Sequence, residues 1–220
     1  MSSGIETSVH RLPVTVHGRF LLRRATDARG LLVGFHGYGE NAEALLEALV
    51  EVPGVSRWSV VAVQALHPFY NRRSGEVVAS WMTKLDRETA IADNVAWVDA
   101  VVERARELTG IETPPVFLGF SQGTAMAYRA AARGRHGARG VVSLAGDVPP
   151  ELAADGLAGF PPVLVGGGSE DARYTDAVQE ADVALLESRG VEVESMRFEG
   201  GHEWTPGFRR AVGRFLDRLA

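Results

Sequence analysis

The chain has 220 residues, of which 45% are hydrophobic and 23% charged, as expected for a globular protein with a sizeable core. Its net charge of −5 argues against a nucleic-acid or anionic-membrane partner, and it has no apolar run long enough to insert stably in a bilayer. Cysteine is absent and the N-terminus lacks the features of a signal peptide, so we expect a cytoplasmic protein without disulfides, formed of one domain over residues 1–220.

Short apolar runs alternate with helical patterns along the chain. The predicted strands are 19–23, 31–35, 60–64, 116–119, 140–144, 163–165 and 193–198. The predicted helices are 41–51, 87–108, 122–133, 175–188 and 206–219. Repeated strand–helix units predict a mostly parallel central sheet covered by helices on both faces. Segment 65–79 has no clear pattern and is predicted to be a loop, either functional or a plain surface excursion.

A glycine-rich loop, His36-Gly37-Tyr38-Gly39, follows the second predicted strand. Ligands of open parallel sheets collect at the carboxyl ends of the strands. Glycines at such a place allow a backbone amide to face a ligand. The Tyr38 amide is therefore a candidate donor for a developing oxyanion, although the same loop also serves to start the helix after it.

The most informative motif is Gly119-Phe120-Ser121-Gln122-Gly123, which lies between a predicted buried strand and an alanine-rich helix. A G-x-S-x-G pentapeptide in this setting forms a sharp turn that holds the serine hydroxyl above the sheet. We therefore predict Ser121 to be a nucleophile. The amide of Gln122, the residue after it, is the second candidate oxyanion donor.

A serine nucleophile needs a base, and the base needs an acid to orient it. Hydrolases with this motif place the three residues in the chain order serine, acid, histidine. His202 follows the last predicted strand and is the preferred base among six histidines. Asp171 follows the strand before that and is the preferred acid. Asp147 and Glu170 remain alternatives, because both also follow predicted strands.

No metal or cofactor motif accompanies these residues. The chain has no H-E-x-x-H, no phosphate-binding loop and no dinucleotide fingerprint. We expect no metal site and no cofactor.

With these residues in view, the chain resembles the phospholipase/carboxylesterase family of α/β hydrolases, which includes small bacterial carboxylesterases and acyl-protein thioesterases. The resemblance runs from about Leu31 to the C-terminus. Its marks are residues 36–41, the 119–123 pentapeptide with glutamine after the serine, and Gly200-Gly201-His202. Ser80-Trp81 resembles the aromatic segment near the family's acyl site. One departure is Ala172-Arg173-Tyr174 after Asp171, where the family usually has small apolar residues and a proline.

The resemblance implies an α/β-hydrolase fold without a separate lid domain and hydrolysis of carboxylic esters. The alternatives are a thioesterase or lysophospholipase with the same residues, or a non-catalytic binding protein of the same fold. The implied partner is a small-molecule ester or thioester, and the oligomeric state is not predicted. Trp81, Met82, Phe69 and Trp204 are candidates for the substrate pocket, with ordinary core or rim positions as the alternative.

Overall fold

The fold is taken from a computed structural model that describes residues 6–155 and 157–220. Within them, a seven-stranded sheet is formed by β1 (Phe20–Arg23), β2 (Leu31–Phe35), β3 (Ser59–Val63), β6 (Val116–Phe120), β7 (Gly140–Leu144), β8 (Val163–Gly168) and β9 (Val193–Phe198). A two-stranded hairpin is formed by β4 (His67–Tyr70) and β5 (Val77–Ser80). The helices are α1 (Ala42–Val50), α2 (Arg87–Thr109), α3 (Gln122–Arg133), α4 (Pro150–Asp155), α5 (Asp176–Ser188) and α6 (Pro206–Arg218).

The strand order in the large sheet is β1-β3-β2-β6-β7-β8-β9. Only the edge strand β1 is antiparallel to its neighbour, and every other pairing in this sheet is parallel. The carboxyl ends of the parallel strands therefore meet at one edge, where the loops that follow them converge.

Helices cover both faces of the sheet. All residues of β2, β3, β6, β7 and β8 are buried, and because alternate side chains point to opposite faces, both faces must be covered. A Cβ added at Gly34, Gly140 or Gly166, which share one face, would meet α1 or α6. A Cβ added at Gly119 or Gly167, on the opposite face of the sheet, would meet α3 or α5. Helix α2 packs beside α3. The predicted fold class is confirmed.

The element pattern differs from the prediction mainly in the stretch expected to be a loop. Residues 67–80 form the β4–β5 hairpin, which reaches the glycine-rich loop through a bridge between Glu40 and Ala79. Its strands have only four residues each, and Pro68 interrupts the first, so the sequence carries too little alternation to reveal them. The six-residue helix α4 was also missed.

Strand β8 is three residues longer than predicted, since it continues through Gly166, Gly167 and Gly168. The prediction ended this strand at Val165, but the backbone of the three glycines pairs in register with Met196, Arg197 and Phe198 of β9. No separate lid domain is evident in the described ranges. None of the helices in them has the length and apolar character needed to cross a membrane.

Candidate active site

Ser121 lies in the tight turn between β6 and α3. Its backbone has φ 54° and ψ −120°, a conformation that L-residues rarely adopt. The turn is so close to its neighbours that a Cβ at Gly119 would lie 2.3 Å from the Gly123 carbonyl oxygen, and one at Gly123 would lie 2.1 Å from the Phe35 carbonyl oxygen. Both positions therefore require glycine, as the pentapeptide predicted.

His202 and Asp171 meet Ser121 at the carboxyl edge of the sheet. His202, in the loop between β9 and α6, has its Nε2 atom 2.7 Å from Ser121 Oγ. Its Nδ1 atom lies 2.7 Å from Oδ2 of Asp171, which follows β8. An ionised carboxylate can only accept, so the proton resides on Nδ1 and Nε2 is free to accept from the hydroxyl. The His202 ring packs against Phe120 at 5.1 Å between ring centroids.

The Asp171 carboxylate is held in its ionised form. Its side chain is 0% exposed, and burial by itself would raise its pKa. The backbone amides of Tyr174 and Arg173 donate to Oδ1 at 3.1 and 2.8 Å, and together with His202 they outweigh burial and lower the pKa. Arg173 and Tyr174 depart from the family pattern, but their backbone amides still supply the donors that an acid in this place needs.

The two alternative acids do not bind His202. Asp147 is exposed after β7, and Glu170 is exposed beside Asp171, with its amide bound to the Gly200 carbonyl. Within the described chain, His202 has no hydrogen bond to either carboxylate.

His36 has a structural place. It is fully buried, its Nδ1–H donates to the Gly37 carbonyl at 2.7 Å, and its Nε2 accepts from the Ala65 amide at 3.1 Å. Burial lowers its pKa, which favours the neutral ring that these two bonds need.

The two predicted amide donors belong to different segments: Tyr38 lies in the glycine-rich loop and Gln122 is the first residue of α3. In the glycine-rich loop, Gly37 N donates to Glu40 Oε2 at 2.8 Å and Gly39 N to the Ala79 carbonyl at 3.0 Å. Neither the Tyr38 nor the Gln122 amide donates a hydrogen bond to any group in the described ranges. Both remain available to a ligand.

A pocket of about 390 Å³ opens at Ser121 and His202. Two of the four predicted pocket residues, Trp81 and Met82, line it. Trp81 is wholly buried, so most of its surface belongs to the core. Phe69 and Trp204 do not contribute to the described lining. Phe69 packs on the exposed Tyr38 ring at 5.6 Å, and Trp204 packs between Phe120 and Phe208, so both rings are held by contacts with other aromatic rings.

Comparison with known proteins identifies the family of the chain. Residues 19–219 match the phospholipase/carboxylesterase family. The chain belongs to this family. It is thus an α/β hydrolase of the carboxylesterase and thioesterase type.

Solved structures with the same fold include esterase PE8, with a TM-score of 0.74 and 22% identity over 93% of this chain and 100% of that one. The carboxylesterase from Bacillus cereus has a TM-score of 0.71 and 21% identity, covering 92% of this chain and 95% of that one. Acyl-protein thioesterase 2 from Zea mays has a TM-score of 0.69 and 18% identity, covering 92% and 99%. No curated protein gives a significant match.

Sequence reasoning treated Gln122 of this hydrolase only as an amide donor and missed its side chain. The carboxamide oxygen accepts from the Trp81 amide at 3.0 Å, and the carboxamide nitrogen donates to the Met82 carbonyl at 3.0 Å. The side chain thereby fixes the 81–82 segment, which forms one wall of the pocket, to the turn that holds Ser121.

Three arginines that line the pocket, Arg87, Arg129 and Arg173, were not predicted to do so, and Asp147, which also lines it, was considered only as an alternative acid. The sequence offered one signal that Arg129 lies near Ser121. Ser121, Ala125 and Arg129 are spaced by four residues, and residues four apart lie on the same face of a helix.

Proposed function

We propose that this family member is a serine hydrolase that cleaves carboxylic esters of small molecules through an acyl-enzyme. The observation that carries the proposal is the continuous hydrogen-bonded chain from Ser121 through His202 to Asp171, with 2.7 Å at each link. The atom of a base that accepts a proton must lie within about 3.2 Å of the heavy atom that carries the proton. The distance between His202 Nε2 and Ser121 Oγ meets this requirement.

In the first half-reaction, Ser121 Oγ forms a bond to the ester carbonyl carbon while His202 Nε2 takes the hydroxyl proton. The carbonyl oxygen becomes an oxyanion that the Tyr38 and Gln122 amides bind. When the bond from carbon to the alcohol oxygen breaks, His202 returns the proton to that oxygen and the alcohol leaves. Asp171 stabilises the charged imidazole in between.

In the second half-reaction, water gives a proton to His202 and its oxygen attacks the acyl carbon. The bond to Ser121 Oγ then breaks, and His202 returns the proton to the serine. The products are the carboxylic acid and the free enzyme. Each oxyanion donor is worth about 3 kcal/mol in enzymes of this kind.

Reaction with a fluorophosphonate probe tests the proposal, since the probe modifies only an activated serine. We expect the wild-type protein to be labelled and to hydrolyse p-nitrophenyl butyrate, and Ser121→Ala to do neither. A folded wild-type protein that fails both assays would contradict the proposal and favour a non-catalytic member of the family.

The acid assignment has its own pair of variants. We expect Asp171→Asn to lower kcat by roughly a thousandfold or more, because the imidazole loses its orientation and its countercharge. Asp147→Asn is the matched control and should keep kcat within about threefold. A large loss in Asp147→Asn alone would overturn the assignment.

A further inference from the structure

One face of α3 connects the reactive serine to a buried cation. Ser121, Ala125 and Arg129 are spaced by four residues, and all three line the pocket. Ala125 is small, so the space between the serine and the arginine is not filled by the helix itself. The same pocket that receives the scissile bond therefore reaches a guanidinium group.

Arg129 is deeply placed, with 3% of its surface exposed. Its Nε atom donates to Glu151 Oε1 at 2.7 Å, but its Nη1 atom has only the weak sulfur acceptor of Met82 at 3.6 Å. No carboxylate among the described residues accepts from either Nη atom. The Nη atoms of the guanidinium, at the pocket wall, therefore have no carboxylate partner, because Glu151 binds at Nε.

The described lining of the pocket contains three arginines, Arg87, Arg129 and Arg173, and one carboxylate, Asp147. Glu151 is shared, because its Oε2 atom accepts from Arg87 at 2.7 Å while Oε1 accepts from Arg129. Arg87 has a second partner in Glu88 at 2.9 Å, whereas Arg129 has no second carboxylate in the described ranges. Burial lowers the pKa of Arg129, because the ion pair with Glu151 offsets only part of the cost of removing the charge from water. An anionic ligand would offset that cost.

We propose that the natural substrate carries a carboxylate, which binds Arg129 while the ester carbonyl lies at Ser121. This proposal rests on the proposed function and narrows its substrate class to half-esters of short dicarboxylic acids or to short hydroxy acids that are acylated on the hydroxyl group. Arg129 is thereby a specificity-determining residue, and Arg87 and Glu151 hold its side chain in place. Planar guanidinium groups suit this task because they bind carboxylates through two parallel hydrogen bonds.

The helix sets the length of the substrate. Eight residues at about 1.5 Å each separate the two Cα atoms by roughly 12 Å along the axis. Helical side chains lean toward the N-terminus, which brings the guanidinium closer to Ser121 than the two Cα atoms are. A short chain between the scissile carbonyl and the carboxylate fits this arrangement.

The first test uses the wild-type protein alone. Ethanol release from monoethyl glutarate is compared with release from ethyl pentanoate, which has a similar chain and no charge. Acetate release from 4-acetoxybutanoate and from butyl acetate forms the second pair. We expect the charged ester of at least one pair to have about a tenfold or higher kcat/KM, and the favoured pair places the carboxylate on the acyl or the alcohol side.

Variants then assign the preference to one side chain. Arg129→Gln should lower kcat/KM for the charged ester by about tenfold or more while neutral esters change by less than about threefold, and Arg129→Lys should recover part of the loss. Arg133→Gln is the matched control, because Arg133 is exposed on the same helix and does not line the pocket. It should leave the preference unchanged.

Equal or better hydrolysis of the neutral ester in both pairs would overturn the inference and leave the proposed esterase function intact. Loss of the preference in Arg133→Gln as well as in Arg129→Gln would also overturn it, because the effect would then come from overall charge. Failure of the wild-type protein in every ester assay and in fluorophosphonate labelling would instead contradict the proposed function.

Discussion

At the scale of single residues, the site depends on a strained backbone conformation of Ser121 that lowers the stability of the protein. Ser121 has φ 54°, in the region that L-residues avoid, and its amide is tied to the Leu144 carbonyl at 2.8 Å. Such a conformation costs of the order of 1–3 kcal/mol and persists only where the surrounding structure enforces it. Here the enforcement comes from the close contacts of Gly119 and Gly123 with neighbouring backbone.

Glycine at position 121 should therefore relieve strain. We expect Ser121→Gly to be more stable than Ser121→Ala by about 1 kcal/mol, because glycine adopts positive φ freely while alanine keeps the strain. Both variants lack the hydroxyl, so the comparison isolates the backbone. Urea denaturation measures the difference.

The matched control is Ala125→Gly, at an ordinary helical position of α3, where glycine should lower stability by about 1 kcal/mol. If glycine proved less stabilising than alanine at both positions, the conformation of Ser121 would not be strained.

At the scale of elements, the glycine-rich loop is held by groups distant in sequence. The Trp81 indole, just after β5, donates to the His36 carbonyl at 2.8 Å, and the hairpin amide of Ala79 donates to the Glu40 carbonyl at 2.8 Å. The hairpin and the Trp81 segment therefore position the Tyr38 amide, although neither contributes an atom that reacts.

Removal of the indole donor tests this dependence. In Trp81→Phe the buried His36 carbonyl loses its partner, so we expect stability to fall by about 1–3 kcal/mol and kcat by about tenfold, with KM changed by less than about threefold. The loss should fall on kcat because the role that we propose for the Tyr38 amide is to bind the oxyanion and not the bound ester.

Trp97→Phe is the control, since its indole donates to the Gln64 carbonyl at 3.1 Å outside the pocket. It should lower stability without a comparable loss of kcat. A similar fall of kcat in both variants would show that general loosening, and not the loop, is responsible.

At the scale of the whole molecule, we propose that the chain is a single domain. One sheet extends from Phe20 in β1 to Phe198 in β9, and one buried cluster includes residues from nearly every element. Thermal unfolding should accordingly show one cooperative transition at every pH at which the protein is folded.

The stability of this single unit should depend on pH through Glu151, which joins α4 to α2 and α3. Burial alone would raise its pKa, but hydrogen bonds from Arg129 and Arg87 lower it to about 2 from an ordinary 4.5. Because the folded-state pKa is the lower one, the stabilisation is complete above about pH 4.5 and is lost as the pH falls toward 2. Solvent screening limits it to about 1–2 kcal/mol.

Denaturation of wild type and Glu151→Gln at several pH values checks this sign. The wild-type advantage should be largest near pH 6 and shrink toward pH 3. Glu107→Gln removes an exposed pair with Arg104 and should cost less than about 0.5 kcal/mol at any pH. A wild-type advantage that does not change with pH would contradict the assigned pKa.

The sequence by itself determined the fold class, the family resemblance and the order of the reactive residues. These follow from local signals: buried apolar runs, helical periodicity, and a pentapeptide whose glycines are required within a few residues of each other. The preference for Asp171 and His202 followed from chain order, but Asp147 and Glu170 stayed open, because carboxylates after several parallel strands all reach the same edge.

The tertiary structure alone decided which carboxylate meets His202 and which aromatic rings face the pocket. It also revealed the hairpin, the clamp formed by the Gln122 side chain and the cation at Arg129. Apart from the hairpin, whose strands are too short to show a pattern, these features depend on contacts between residues about 20 to 80 positions apart, where no local pattern of hydrophobicity or turn residues operates. Distances through space, and not spacing along the chain, fix the electrostatics of the pocket and hence the substrate that we propose for it.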